Sequence, residues 1–250
     1  MRPTIAFDQL GEGPPVILVL GAFNTRAAGA PLAAALAEKH TVINYDRRGR
    51  GGSGDSTPYA VEREIEDLDT LVQRLGGAAA LFGFSSGAAL ALAAAAHGIA
   101  ITRLALFDLP LTVARPANPV EHAAALDALV RAGRRGDAVE YFQRRMVGLP
   151  EPVVAQLRQA PFRPALEAMA HTLVYEAMIL GDGHLSIEQA RAVRAPILAI
   201  AAGAAPPFMR ETAEALARAV PDGRAVVLEG ATHDLVPEVL APLLLRFYAA

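Results

Sequence analysis

The stretch Gly-Phe-Ser-Ser-Gly at residues 83–87 decides the fold of this 250-residue chain, because it fits G-x-S-x-G where two periodicities meet. The apolar run at residues 78–84 is typical of a buried strand, and the small residues at 86–97 are typical of a helix. A serine at such a turn presents its hydroxyl at the helix N-terminus, where the dipole favours developing negative charge. The pattern therefore predicts Ser85 as a nucleophile. The simpler interpretation is a small-residue turn that only packs a helix on a strand.

The alternation of apolar runs and helical patterns continues on both sides of this turn. Strands that are apolar throughout are buried on both faces, so the pattern predicts an α/β fold with a doubly wound, mostly parallel sheet. The predicted strands are residues 15–20, 41–45, 78–84, 102–107, 197–201 and 225–228, with 4–10 as an edge strand. The predicted helices around them are residues 27–39, 61–75, 86–97, 207–219 and 237–248.

Between the strands 102–107 and 197–201 the pattern is helical throughout. The predicted helices there are residues 137–146, 151–159 and 164–180, and one more with Asn118 as N-cap and Pro119 in the first turn. So much helix is too long for a plain crossover between neighbouring strands. We predict an inserted helical cap at residues 111–189 over a core formed by residues 1–110 and 190–250.

A serine hydroxyl needs a base at neutral pH, and histidine is the usual one. The chain has six histidines, and His233 lies between the last predicted strand and the last predicted helix. A loop there ends on the same carboxyl edge of the sheet as Ser85. We therefore predict His233 as the base, with a surface loop histidine as the alternative.

Composition narrows the classes of function. The absence of cysteine excludes disulfides, thiolate metal sites and a cysteine nucleophile. A net charge of −3 gives no footprint for nucleic acid, and no His, Asp or Glu set has metal-ligand spacing. Residues 1–10 lack the pattern of a signal peptide, and the most apolar stretch, 87–96, is too short for a membrane span. We expect a cytoplasmic protein without nucleic-acid, membrane or metal partners.

These features resemble the α/β-hydrolase family over essentially the whole chain. The serine turn and the late loop histidine carry the resemblance. Residues 45–54, Tyr-Asp-Arg-Arg-Gly-Arg-Gly-Gly-Ser-Gly, look like the family's D-x-R-G-x-G-x-S loop. The resemblance implies a serine hydrolase whose triad follows the order Ser, Asp, His.

The acid of the triad departs from the commoner family pattern, which places it after the strand that follows the cap. That strand leads here into residues 203–207, Gly-Ala-Ala-Pro-Pro, which contain no carboxylate. Some relatives take the acid from the strand end before the cap, and Asp108 occupies that place. We predict that Asp108 orients His233. The alternatives are Asp182, Asp234, or a capping role for Asp108.

The resemblance also implies two backbone N–H donors for an oxyanion. One belongs to Ser86, after the nucleophile, and the other to the loop after the strand 15–20. In that loop Ala22 is our first choice and Phe23 our second, and Asn24 is expected to donate to substrate. Phe23 and Phe84 are predicted to line an apolar substrate pocket.

A competing pattern lies at residues 49–54, which satisfy G-x-G-x-x-G after a strand. A dinucleotide site needs a helix to open directly at the third glycine, and the helix is delayed here. We therefore expect no cofactor, and expect Arg47, Arg48 and Arg50 to stabilise the loop through salt bridges.

The sequence predicts an enzyme that cleaves an ester, lactone or thioester of a fairly apolar small molecule through an acyl-enzyme on Ser85. One alternative is cofactor-free chemistry on the same fold, such as C–C hydrolysis, perhydrolysis or a biosynthetic cyclisation. Another is a non-catalytic binding protein with a vestigial triad. The missing acid after Gly203 favours the last alternative.

Overall fold

A computed structural model describes residues 3–117 and 120–249 of the chain. Its strands are β1 (Phe7–Leu10), β2 (Pro15–Val19), β3 (Thr41–Tyr45), β4 (Ala79–Phe84), β5 (Ile101–Phe107), β6 (Ile197–Ala202) and β7 (Gly223–Leu228). They form one sheet in the order β1-β3-β2-β4-β5-β6-β7. All neighbours run parallel except β1, which pairs antiparallel with β3 at the edge. The predicted doubly wound, mostly parallel sheet is therefore confirmed, including its edge strand.

Helices cover both faces of this sheet. The α-helices of the described residues are α1 (Arg26–Leu36), α2 (Val61–Arg74), α3 (Ser86–Ala96), α4 (His122–Arg131), α5 (Arg135–Tyr141), α6 (Glu151–Arg158), α7 (Arg163–Ala168), α8 (Leu173–Leu180), α9 (Ile187–Ala192), α10 (Pro207–Ala219) and α11 (Pro237–Ala249). Successive strand residues point to opposite faces. Ile17 of β2 belongs to the apolar cluster with α2, α3 and α10, whereas Leu18 belongs to the cluster with α1 and α11.

The region between β5 and β6 has a small core of its own, and we call residues 111–189 the cap region. Leu126 of α4, Val139 of α5 and Leu173 of α8 are fully buried in this cluster. Phe23, from the loop after β2, packs against it and ties the cap region to the sheet. The helix start predicted at Asn118 and Pro119 lies outside the described residues.

The structure differs from the predicted helices of this region in three places. The stretch predicted as one helix at 164–180 is broken into α7, a 3-10 turn (Ala170–Thr172) and α8. The stretch at 137–146 continues α5 as a π-helical turn (Phe142–Met146). The unpredicted α9 packs against α3 and α10 of the core.

In residues 3–117 and 120–249, no helix has both the length and the apolar character needed to cross a membrane.

The glycines flanking Ser85 allow backbones to approach closely. A Cβ atom on Gly87 would lie 2.2 Å from the carbonyl oxygen of Val19, and one on Gly83 would lie 2.6 Å from Cα of Ala88. These neighbours are backbone atoms and cannot rotate away. The two glycines therefore set how near α3 lies to the sheet.

Replacing Gly87 by alanine is expected to lower the free energy of unfolding by about 3 kcal/mol, because the added methyl must displace β2. Urea denaturation followed by circular dichroism measures this. Gly54→Ala is a matched control, since its Cβ would meet the Pro3 side chain at 3.1 Å and no backbone atom closer than 3.5 Å. A control that loses as much stability as Gly87→Ala would contradict the explanation.

Candidate active site

Ser85 lies between the last residue of β4 and the first residue of α3, with φ 56° and ψ −129°. Such a backbone conformation costs a non-glycine residue about 1–3 kcal/mol, and persists only where surrounding contacts enforce it. The Ser85 N–H donates to the carbonyl oxygen of Phe107 at 2.9 Å, and the Ala88 N–H donates to the Ser85 carbonyl at 2.8 Å. These bonds place the partly exposed Ser85 side chain at the N-terminus of α3.

Asp108 and His233 meet at the same edge of the sheet although 125 residues separate them. Asp108 Oδ2 lies 2.8 Å from His233 Nδ1. The Asp108 side chain is fully buried, while His233 is 45% exposed. Because a carboxylate only accepts, this bond puts the imidazole proton on Nδ1 and leaves Nε2 able to accept one.

The backbone around this pair fixes its geometry. Asp108 adopts φ 51°, its N–H donates to Ile200 O at 2.9 Å, and its Oδ1 accepts from the Ala202 N–H at 2.8 Å. β6, the strand after the cap region, has no carboxylate at its end. It contributes instead a backbone N–H that donates to Asp108. The His233 ring lies over the Phe84 ring, with centroids 4.7 Å apart, and so sits beside the serine turn.

The other two candidate acids have different partners. Asp182 pairs with Arg115 at 3.2 Å and accepts from the His184 N–H. Asp234 accepts from the Thr232 hydroxyl at 2.7 Å. In the described part of the chain, Asp108 is the carboxylate that bonds His233, and no hydrogen bond joins the Ser85 hydroxyl to His233. Such catalytic bonds are often long before substrate binds.

We call the loop at residues 20–24 the oxyanion loop. Its hydrogen bonds engage the Ala22 N–H, which was our first choice of oxyanion donor. The Ala22 N–H donates to the Ser86 hydroxyl at 3.0 Å, so it is engaged within the protein. The Phe23 N–H has no hydrogen-bond partner among the described residues, and neither has the Ser86 N–H. Phe23 has φ 61°, in the left-handed region that non-glycine residues seldom adopt. The N–H groups of Ser86 and Phe23 are thus without a partner among the described residues, whereas that of Ala22 is engaged.

The three predicted substrate contacts have different environments. The Asn24 side-chain amide donates to Ala22 O at 2.8 Å and is thus bound within its own loop. The buried Phe84 ring packs against both Phe107 and His233 and supports the imidazole. The Phe23 ring meets Phe142 of the cap region edge to face, with centroids 5.5 Å apart. Of the three, Phe23 is the one placed between the sheet and the cap region.

The arginines of the loop after β3 form buried ion pairs, which confirms that prediction. Arg47 pairs with Glu64 at 2.7 Å and Arg48 with Asp67 at 2.8 Å, while Arg50 pairs with Glu176. Burial is the main cause that raises the pKa of Asp67 to about 6, against the opposing charge of Arg48.

In this loop, backbone N–H groups bind the Asp46 carboxylate, in the place that a phosphate would take in a dinucleotide site. The Gly52 N–H donates to Asp46 Oδ2 at 2.8 Å and the Arg26 N–H donates to Oδ1 at 2.7 Å. The next helix opens only at Val61. These contacts do not match a dinucleotide site. In the residues that the structure describes, no group of three or more His, Asp or Glu side chains could hold a metal ion.

Comparison with known proteins fits this geometry. A model of the alpha/beta hydrolase family matches residues 16–242 of the chain. The chain belongs to the alpha/beta hydrolase family.

Individual relatives agree with that membership. An alpha/beta hydrolase from Sphaerobacter thermophilus DSM 20745 is 51% identical and superimposes with a TM-score of 0.91 over 98% of this chain and 96% of that one. A malate-bound thermophilic esterase from Thermogutta terrifontis is 25% identical, with a TM-score of 0.75 over 98% and 93% of the two chains. The 2-(acetamidomethylene)succinate hydrolase of Mesorhizobium japonicum is 26% identical over 100% of this chain and 93% of its own length.

Two polar groups of this hydrolase were missed by the sequence reasoning. One is the Ser86 hydroxyl, which accepts the hydrogen bond from the Ala22 N–H. The other is Glu176 of α8, a fully buried carboxylate that pairs with Arg47 and Arg50. A single acid inside the apolar pattern of α8 was the available signal for Glu176, since a buried charge needs a partner.

Proposed function

We propose that this alpha/beta hydrolase cleaves an ester, lactone or thioester bond of a fairly apolar small molecule through an acyl-enzyme on Ser85. The observation that carries the proposal is the 2.8 Å bond between buried Asp108 and His233, formed by two loops that meet beside the strained serine turn. A turn that only packs a helix on a strand has no need for such a pair.

In the proposed reaction His233 Nε2 takes the Ser85 hydroxyl proton as Oγ attacks the substrate carbonyl carbon. The carbonyl oxygen becomes an oxyanion that accepts from the N–H groups of Ser86 and Phe23. The tetrahedral intermediate collapses, the bond to the leaving group breaks, and the leaving group takes the proton from His233. Water, deprotonated by His233, then attacks the acyl-Ser85 carbonyl carbon. The bond to Ser85 Oγ breaks, Oγ takes the proton back from His233, and the acid is released.

The choice of bond and substrate rests on the surroundings of Ser85 and on two relatives. The Phe23 ring packs edge to face on Phe142 of the cap region, so the side chains beside the free Phe23 N–H are apolar. The esterase among the relatives supports ester cleavage. The succinate-type substrate in the name of another relative contains an acetamido group, so amides belong among the compounds to be tested.

A fluorophosphonate probe and a substrate panel test the proposal. We expect the probe to label the purified protein once, with peptide mapping placing the adduct on Ser85. We expect turnover of at least one of p-nitrophenyl butyrate, γ-caprolactone or butyryl thioester, with a burst of released leaving group at high enzyme concentration. A p-nitroanilide serves as the amide control.

The outcomes separate the alternatives. Labelling of Ser85 without turnover of any panel member would favour cofactor-free non-ester chemistry on the same site. Absence of labelling would overturn the proposal and favour a binding protein. The structure weakens that last alternative, because the acid missing after Gly203 is replaced by Asp108 from the preceding strand of the sheet.

A further inference from the structure

Two buried arginines donate hydrogen bonds to the first two carbonyl groups of the oxyanion loop. Arg50 Nη1 donates to Gly21 O at 2.6 Å, and Arg47 Nη1 donates to Leu20 O at 3.2 Å. Both arginines are only 2% exposed. A buried charged donor on a main-chain carbonyl is a strong hydrogen bond, so these contacts restrict how the loop can move.

The contact to Gly21 fixes more than one atom, because a peptide group is planar and its C=O and N–H point in opposite directions. In the peptide that joins Gly21 to Ala22, the carbonyl is held by Arg50 and the N–H is held by the Ser86 hydroxyl. The next peptide has its carbonyl held by the Asn24 amide at 2.8 Å. Its N–H, that of Phe23, has no hydrogen-bond partner among the described residues and can bind a ligand.

Arg50 is itself held by the cap region. Its carboxylate partner among the described residues is Glu176 of α8, which has no exposed surface and also pairs with Arg47 at 3.0 Å. Arg47 has a second acid, Glu64 of α2, at 2.7 Å. Burial is the main cause that lowers the pKa of Arg50 to about 9, the adjacent Arg47 charge adds to it, and the Glu64 carboxylate opposes both effects. The contact with Glu176 holds the Arg50 guanidinium in place beside α8.

We propose that Arg50, held by Glu176 of the cap helix α8, is a positioning residue that sets the direction of the Phe23 N–H toward the substrate oxyanion. The inference rests on the proposed function, which makes that N–H an oxyanion donor. On this proposal the cap region contributes to the chemistry, because the Glu176–Arg50 ion pair and the Arg50–Gly21 hydrogen bond connect α8 to the oxyanion loop.

Arg50→Lys tests the role, because lysine keeps the charge but its single ammonium cannot hold Gly21 O and the carboxylate in the planar fork of arginine. We expect kcat on the panel ester, and the second-order rate of Ser85 phosphonylation by the fluorophosphonate, to fall about 10- to 100-fold, since one oxyanion donor loses its aim. We expect KM to change less than about twofold, because ground-state binding does not use that donor.

Arg48→Lys is the matched control. Arg48 lies in the same loop, is equally buried, and has its own acid, Asp67, but it bonds the Ser56 hydroxyl and the Arg63 carbonyl and not the oxyanion loop. We expect a similar loss of thermal stability and less than about a threefold change in either rate. All rates are measured at a temperature well below the unfolding midpoint of each variant.

The carboxylate side is tested in the same way with Glu176→Gln against Glu140→Gln. Glu140 is the other strongly buried acid of the cap region and pairs with Arg144, Arg158 and Arg163, away from the oxyanion loop. We expect a fall of about 10-fold or more for Glu176→Gln and less than about threefold for Glu140→Gln. If Glu176→Gln does not fold, the arginine pair decides alone.

Equal losses of rate in Arg50→Lys and Arg48→Lys would overturn the inference, as would a loss in Arg50→Lys that appears in KM alone. Either result leaves the proposed function standing, because wild-type labelling and turnover at Ser85 are measured in the same series. Failure of the wild type to label at Ser85 is the distinct result that removes both.

Discussion

Ser85→Ala is expected to lower kcat on the panel substrate that the wild type turns over by about 10⁴- to 10⁶-fold. The variant has no oxygen to form the acyl-enzyme, and His233 has no proton to take. Residual catalysis would come from water held near the free donors of Ser86 and Phe23. Steady-state kinetics with the purified variant measures the loss, and intact-protein mass spectrometry should show no fluorophosphonate adduct.

The fold of this variant should be intact, because the contacts at Ser85 that hold the turn are made by its backbone. Ser186→Ala is a useful control: it removes the serine that caps α9 by accepting from the Gln189 N–H at 3.2 Å. That control should lose about 1 kcal/mol of stability and no activity. A Ser85→Ala enzyme that keeps more than a few per cent of the wild-type rate would show that Ser85 is not the nucleophile.

The sheet could be predicted because each of its central strands carries its own signal. β4 is buried along its whole length, and its apolar run can be recognised without knowing its neighbours. The helices of the cap region were harder, since their ends depend on packing within a small core around Leu126 and Phe142. Even so, α9 had a local signature, Ser186 followed three residues later by Gln189, which is a capping box.

The residues that the structure brings together at the site were predictable for the same reason. Ser85, Asp108 and His233 each follow a parallel strand, and parallel strands end at one edge of the sheet. Which of the Ala22 and Phe23 N–H groups is left without a partner among the described residues could not be predicted, because it depends on which way one peptide faces. That orientation is set by the Ser86 hydroxyl and by Arg50, whose partner Glu176 is 126 residues away. Sequence spacing carries no information on such a long-range pairing.

Asp108→Asn is expected to lower kcat by about 10⁴-fold while the protein remains folded. The carbonyl of the introduced amide can still accept from the Ala202 N–H, so the backbone contact at 2.8 Å can be kept. Toward His233 the substitution replaces an acceptor by an amide donor, which favours the tautomer with its proton on Nε2. That nitrogen then cannot take the Ser85 proton, and the imidazolium that forms during the reaction loses its counter-charge.

Comparison with the other two acids makes the prediction specific. Asp182→Asn and Asp234→Asn remove carboxylates that bond Arg115 and Thr232 and not His233, so their kcat should stay within about threefold of the wild type. Stopped assays across about pH 5–9 with all three variants, together with unfolding midpoints, separate a tautomer effect from loss of fold. Should Asp182→Asn lose activity while Asp108→Asn keeps it, the acid would have to come from the cap region, and the bond between Asp108 and His233 would be structural only.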